Sequence, residues 1–323
     1  MPGQQPSLGA AARHLAGRLL PAGLRARLQD RRRRRIGARR VAELVAADPG
    51  LRAFVHDGFA LAGRLADSFT AAEAAEANLR IVAEAAEAAG IPYFVVPGKS
   101  HVRYAVGVRH ADKKAFLEAM RARYGGTEVY AAKTGGANRA AALYAEGALP
   151  KAVKFAQVIR FGRCTLGPHG QLLAGLDYGC DVEFWRDGDQ FAADPAFEAK
   201  NARLKVQVPA AMLAGGLVAP RPNRVADVLP AEELVPASVE VGDHKHPTYR
   251  AFTHRLVDEV DFPVDAVYMW VDGDDPEWAA ARAAHLGGDA AGHTHLTGAS
   301  RYLSRDELKY SLRSLHTFAP FIR

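Results

Sequence analysis

The chain has 323 residues, long enough for two domains with cores of their own. A hydrophobic share of 49% and a charged share of 24% are those of an ordinary globular protein and exclude wholesale disorder. No apolar run approaches the ~20 residues of a spanning helix, and the N-terminus lacks a secretory pattern, so Cys164 and Cys180 read as reduced thiols of a cytosolic protein.

The formal net charge of +6 is concentrated near the start. The stretch LQDRRRRRIGARR places seven arginines between Arg31 and Arg40. Upstream, Leu15, Leu19, Leu20, Leu24 and Leu28 fall near helical spacing among Arg13, Arg18, Arg25 and Arg27, although Pro21 and Gly23 weaken a helix there. Residues 1–40 read as a basic amphipathic arm with two open roles: lying on an anionic membrane surface, or remaining solvated and partly disordered. No zinc-finger spacing or aromatic-interleaved basic pattern follows, so nucleic acid is not an expected partner. The expected location is cytoplasmic, peripheral to the inner face of the membrane.

Residues 41–215 read as an α+β accessory domain. Strands are expected at IPYFVVPG and HVRYAVGV, where Tyr104, Val106 and Val108 alternate with Ala105 and Gly107. ADKKAFLEAMRARYGG predicts a helix with Phe116, Met120 and Tyr124 on one face and Gly125 as its stop. Further strands are expected at AVKFAQVIRFG and CDVEFWRD. Residues 216–247 read as a linker, because LVAPRPNRVADVLPAEELVPAS has four prolines in 22 residues and little periodicity. A connecting helix is expected around Thr248–Val260.

In the first domain, PGKSHVRYAVGV followed by CDVEFW loosely resembles a nucleotidyltransferase, with Asp181 and Glu183 on one strand face. The motif is short, and an edge strand with its polar face in water is the favoured reading. PGKS lacks the preceding glycine of a phosphate-binding loop. His244 with His246, and His293 with His295, lie in polar stretches without a third ligand at a familiar spacing, and read as surface histidines.

VDAVYMWVDGDDPEW, residues 264–278, carries the densest chemistry. Val264, Ala266, Tyr268 and Trp270 alternate with Asp265, Val267, Met269 and Val271, a nearly continuous apolar run that predicts a buried central strand. DGDDP then turns sharply: Gly273 is permissive, and Pro276 opens a helix with Glu277 and Trp278 in its first turn. Carboxylates at such a strand end lie where α/β folds bind ligands, and suit a divalent cation or a ribose hydroxyl. One of Asp274 and Asp275 is expected to cap the helix instead.

This run closely resembles the first conserved region of the Stealth family, and SRYLSRDELKYSLRSLHTFAPFIR, residues 300–323, resembles its second. The resemblance implies transfer of a sugar-1-phosphate from a UDP-sugar donor to a hydroxyl of a polysaccharide or glycan acceptor, with UMP leaving. It also implies a nucleotide-sugar-binding α/β core and Mg²⁺ or Mn²⁺ as cofactor. A conventional glycosyltransferase and a non-enzymatic, membrane- or partner-binding fragment are the alternatives.

In the second region, Ser304 and Glu307 form a capping box for a helix to about Phe318, with Leu308, Leu312, Leu315 and Phe318 as its buried stripe. Arg305, Lys309 and Arg313 recur on another side, where they either face anionic phosphates or form a solvated basic face. Asp272 is expected to hold the nucleotide or its metal, with Gly273, Asp275 and Trp270 completing the nucleotide site; plain core packing stays open for Trp270. Asp306 and Arg313 are the expected catalytic residues. The family's third and fourth regions are not seen, so the chain is expected to be truncated or completed by a second polypeptide. The fold is thus expected to be α/β: a mixed α+β N-terminal domain, then residues 248–323 as the start of a nucleotide-sugar-binding α/β domain.

Overall fold

A computed structural model describes residues 22–135, 142–143, 149–204, 207–257, 259–260, 262–286, 302 and 305–322. The fold is mixed α/β, as expected. It divides into two compact units: Met1–Ser68 with Glu73–His254, and Phe69–Ala72 with Arg255–Arg323.

The first unit begins with helix α1 (Ala22–Ala47), which runs straight through the arginine-rich segment. Arg, Ala and Leu are good helix formers, and Glu43 offsets repulsion by pairing with Arg39 at 2.9 Å and Arg40 at 3.3 Å. Arg31–Ile36 are exposed, whereas Val41 and Leu44 are buried against Leu51 and Ala62. The expected border between arm and domain at residue 40 therefore falls inside a continuous helix. Leu15, Leu19, Leu20 and Pro21 lie outside the described residues. Strands β1 (Leu51–His56) and β2 (Phe59–Leu65) form a hairpin whose turn residues, Asp57 and Gly58, both have positive φ (49° and 76°), as a tight two-residue turn requires. Arg34 ties α1 to this hairpin, donating to the Gly58 carbonyl at 3.0 Å with its guanidinium 4.8 Å from the Phe59 ring centroid.

Next come α2 (Ala71–Ala88), β3 (Tyr93–Val96), β4 (Ala105–Arg109), α3 (Lys113–Tyr124), β5 (Tyr130–Lys133), β6 (Ala142–Leu143), β7 (Val158–Gly162), β8 (Cys164–Leu166), β9 (Leu172–Ala174) and β10 (Cys180–Asp187). β1, β2, β8 and β9 make a four-stranded sheet in that order. β10 is the axis of an eight-stranded sheet: β4 lies parallel to it, β7 pairs antiparallel with its first half, and β11 (Leu217–Val218) continues that pairing. Phe116 and Met120 of α3 and Leu79, Val82 and Ala86 of α2 pack with Val106, Val108, Ile159, Phe161, Val182 and Phe184 in the main core. The expected α3 stripe is thus in place, with Tyr124 partly buried beside it and Gly125 ending the helix. Phe94 of β3 faces Gly107 of β4, where a β-carbon would lie 2.2 Å from the Phe94 ring. Only glycine leaves that ring its place.

The central position of β10 overturns the edge-strand expectation. Asp181 and Glu183 are 2% and 1% exposed, sealed by strands on both sides.

Residues 216–247, expected as a linker, are folded onto the sheet. β11 and β12 (Val228–Leu229) extend it, and β13 (Pro236–Val241) and β14 (His244–Tyr249) form a hairpin that turns at Gly242 (φ 59°). Leu217, Ala219, Leu229, Ala251 and Phe252 bury with Phe94, Val96, Ala105 and Trp185. Periodicity is absent because β11 and β12 are only two residues long. Asn223 shapes the turn between them, accepting the N–H groups of Val225 and Ala226, both at 2.8 Å, on Oδ1. The helix expected near Thr248–Val260 is instead the end of β14 and a short 3₁₀ turn at Arg250–Phe252, since Thr248 and Tyr249 pair with β13. His246 on β14 is buried, not a surface residue: its Nδ1 lies 3.1 Å from Tyr93 Oη, which donates to Glu87 at 2.7 Å. His293 and His295 lie outside the described residues.

The second unit holds α4 (Pro276–Leu286) and α5 (Glu307–Phe318). The run from Val264 to Val271 is not a buried strand. It makes one parallel bridge, Val264 to Ile322, and Val267 and Met269 are exposed. An apolar strand is buried only by neighbours on both sides, and among the described residues of this unit Ile322 alone pairs with it. The α5 stripe is likewise half formed: Leu308 and Leu315 are half-buried, Leu312 and Phe318 exposed.

Candidate functional site

The acidic turn of the second unit is built from local hydrogen bonds. The Asp272 carbonyl accepts the Asp275 N–H at 3.3 Å, and Asp272 Oδ1 accepts the Asp274 N–H at 3.1 Å. Asp275 is the N-cap of α4: its Oδ1 accepts the N–H groups of Glu277 (2.9 Å) and Trp278 (3.4 Å), and its carbonyl accepts the Ala279 N–H at 2.9 Å. Pro276 follows at the first helical position, where a missing N–H costs nothing.

Contacts between the two motif regions hold this turn. A β-carbon on Gly273 would lie 1.7 Å from the Tyr302 carbonyl oxygen, so the turn and Tyr302 approach backbone to backbone. The Tyr302 and Trp278 rings are 4.9 Å apart, and the Arg282 guanidinium lies 4.5 Å and 5.7 Å from their centroids. Tyr268 Oη lies 3.0 Å from Ser311 Oγ on α5. Sequence reasoning assigned no role to Tyr302 or Arg282; an Arg four residues after a first-turn Trp was the available signal.

Asp306 precedes α5 with a left-handed backbone (φ 64°), unusual for a non-glycine residue. Its carboxylate lies 3.5 Å from Lys309 Nζ, and its carbonyl accepts the Tyr310 N–H at 3.0 Å. Glu307 accepts the Arg305 N–H at 2.8 Å, which holds its carboxyl below the ordinary range. Ser304, its expected capping partner, lies outside the described residues. Arg313 is exposed, 5.9 Å from the Tyr310 ring centroid. Trp270 is about half exposed and Asp272 half-buried. No hydrogen bond or ion pair among the described residues joins Asp272 to Asp306 or Arg313.

Among the described residues no group of three or more His, Cys, Asp or Glu side chains could hold a metal. Mg²⁺ is commonly held by only one or two carboxylates with phosphate and water. Asp272 fits that more modest requirement, since Oδ2 is not used in shaping the turn.

The first unit holds a second polar cluster, at Asp181 and Glu183. Asp181 accepts from Arg160 Nε at 2.7 Å and Arg221 Nη2 at 2.9 Å, with Arg103 Nε 3.6 Å away. Glu183 accepts from Arg221 Nε at 2.7 Å and Trp185 Nε1 at 3.2 Å. Burial raises the Asp181 carboxyl, but Arg160 and Arg221 outweigh it and hold Asp181 below its ordinary value; for Glu183 burial prevails and the carboxyl is raised. These guanidiniums already neutralise both acids, which disfavours a metal between them. The arginines escaped the sequence reading because they come from three separate segments.

The geometry describes a mixed α/β protein with an acidic turn, pinned by its helix cap and by Tyr302. Residues 262–289 match Stealth protein CR1, conserved region 1, and this match together with the relatives named next supports the Stealth family. It is 37% identical over 261 residues to the exopolysaccharide phosphotransferase SCO6023 of Streptomyces coelicolor, covering 77% of this chain and 40% of that protein. To SCO2592 of the same organism, an exopolysaccharide phosphotransferase by name, it is 36% identical, with 81% and 26% covered. To the exopolysaccharide phosphotransferase CpsY of Mycobacterium tuberculosis it is 29% identical, with 80% and 44% covered. Alignments this long extend well into the first unit. The chain spans less than half the length of these relatives. No solved structure matches it.

Proposed function

We propose that this protein belongs to an exopolysaccharide phosphotransferase that moves a sugar-1-phosphate from a UDP-sugar to an acceptor sugar hydroxyl. The acceptor oxygen forms a bond to the β-phosphorus, the bond between that phosphorus and the bridging oxygen breaks, and UMP leaves with the bridging oxygen. The hydroxyl proton passes to a base. The observation that carries the reading is the acidic turn: within the matched region, Asp272 is fixed by its own turn and by the Gly273–Tyr302 approach. The names of the relatives support it.

In this reading Asp272 holds the nucleotide or its Mg²⁺ or Mn²⁺, a cation that would neutralise the diphosphate. Asp275 serves mainly as the α4 cap, and Trp270 lines the nucleotide site. Asp306, just before α5, and Arg313, in the middle of that helix, meet the acceptor and the phosphates. Purified protein incubated with UDP-sugar and a glycan acceptor is the test. Phosphodiester formation with UMP release supports the proposal; UDP release makes the protein a conventional glycosyltransferase.

A second reading concerns location. No helix among the described residues is long and apolar enough to cross a membrane. The exposed arginines of α1, beside exposed Leu24, Leu28 and Ile36, favour binding to an anionic bilayer at its cytoplasmic face. Flotation with vesicles containing phosphatidylglycerol tests this.

A further inference from the structure

We propose that Arg103, Arg160 and Arg221 form a receptor for a phosphoryl oxyanion on the first unit, with Asp181 and Glu183 as the buried carboxylates that hold the guanidiniums in place. The proposal concerns residues outside the matched family region and stands without the reading of the acidic turn.

The arrangement is layered. The two carboxylates are almost wholly buried, whereas the side chains of Arg160, Arg103 and Arg221 are 15%, 25% and 35% exposed. Three guanidiniums therefore lie against two acids. A third acid, Asp177, lies 3.7 Å from Arg160 Nη1, but it is 78% exposed and its charge is screened by water. Donor capacity is left over. Arg160 uses Nε and Nη2 on Asp181, Arg221 uses Nε and Nη2 on Glu183 and Asp181, and Arg103 uses Nη1 on the Asp177 carbonyl. Among the described residues each arginine keeps at least one nitrogen without a hydrogen bond, and the buried Arg103 Nε faces only Asp181, at 3.6 Å, as an ion pair too long for a hydrogen bond. A buried unsatisfied donor of this kind is costly and asks for an acceptor. Burial, and next the Arg160 charge, push the Arg103 guanidinium below its ordinary value, a repulsion that a bound anion would relieve.

The backbone around the cluster is fixed. Arg160 sits on β7 directly opposite Asp181. Arg221 is held between Pro220 and Pro222, and its loop is tied to the one leading to Arg103 by the Arg224 N–H donating to the Pro97 carbonyl at 3.0 Å. Donors from three separate segments suit a tetrahedral anion with several oxygens; a planar carboxylate is already served by one arginine fork. A free phosphate and a phosphodiester link share this chemistry.

The test titrates inorganic phosphate into the 323-residue protein at constant ionic strength, by calorimetry and by Tm, with dimethyl phosphate and acetate in parallel. Phosphate should bind and raise Tm, and acetate should not. Dimethyl phosphate binding identifies a diester site, and its failure a site for the free phosphate. Arg103→Gln should weaken phosphate by about tenfold or more, the loss of one charge-assisted hydrogen bond. It should fold normally, because Asp181 keeps its closer partners Arg160 and Arg221 when the 3.6 Å ion pair with Arg103 is lost. The Glu183→Gln/Arg221→Gln pair removes a donor together with its buried partner and should also weaken phosphate. Arg109→Gln, on the same sheet but paired with Asp187, should bind as the parent does. Absence of phosphate binding, acetate binding as strong as phosphate, or unchanged affinity in Arg103→Gln and the double variant would each overturn the proposal.

Discussion

The backbone carbonyl of Tyr302 occupies the space where a side chain on Gly273 would begin, 1.7 Å from the position of its β-carbon. One motif region thereby fixes the turn of the other. Gly273→Ala is expected to force the two apart, with a cost of about 1–3 kcal/mol from overpacking. The Trp278–Tyr302 contact should loosen with it, so Trp278 fluorescence should shift in Gly273→Ala and stay unchanged in Asp274→Asn.

Asp275 caps α4, and in the proposed reading Asp272 is left for binding. Asp275→Ala should destabilise α4 by ~1 kcal/mol, the usual loss of an N-cap, read from urea unfolding. Asp272→Asn should leave unfolding nearly unchanged, because an amide oxygen still accepts the Asp274 N–H, but should abolish or greatly weaken UDP-sugar binding by calorimetry. Asp274→Asn should be mild in both. Unchanged donor affinity in Asp272→Asn would make the turn purely structural.

The buried ion cluster predicts a strong asymmetry. Arg221→Ala leaves Glu183 and part of Asp181 without their partner, and should cost about 3–5 kcal/mol. The Glu183→Gln/Arg221→Gln pair should cost much less, since the Glu183 charge is removed with that of Arg221 and Asp181 keeps Arg160. Chemical denaturation of the three proteins decides it; equal losses would mean the pairing contributes little.

His246 gives a pH dependence of definite sign. Burial holds its folded value below 6.5, with Glu87 opposing and His244 and Arg80 adding to the shift. The unfolded chain therefore binds the proton more readily. His246 contributes stability above pH 6.5, which is lost as pH falls toward the folded value. Tm measured from pH 8 to 5 should fall less steeply in His246→Gln than in the parent.

The α1 arginines should act on a bilayer without affecting the fold. Arg32→Glu, Arg33→Glu and Arg35→Glu together should abolish flotation with anionic vesicles and leave Tm nearly unchanged, because these side chains are exposed and none holds the hairpin. Arg34 is left in place for its contacts with Gly58 and Phe59. Undiminished flotation would assign α1 another role.

The sequence by itself determined the mixed α/β class, the α3 stripe of Phe116 and Met120, its stop at Gly125, the DGDDP turn and the family region that contains it. Each is written in spacing shorter than a few helical turns, where local propensity and capping act alone. Tertiary structure decided the rest. Asp181 and Glu183 have the same alternation on an edge strand as on a central one; only the pairing of β4 and β7 along β10 buried them, and only burial summoned Arg103, Arg160 and Arg221 from three distant segments. Residues 216–247 looked like a linker because two-residue strands have no period, yet Leu217 and Leu229 close one face of the sheet over Trp185. The opposite held for Val264–Val271: its composition is that of a core strand, but an apolar run is buried only when neighbours cover both sides, and within its unit Ile322 alone pairs with it among the described residues.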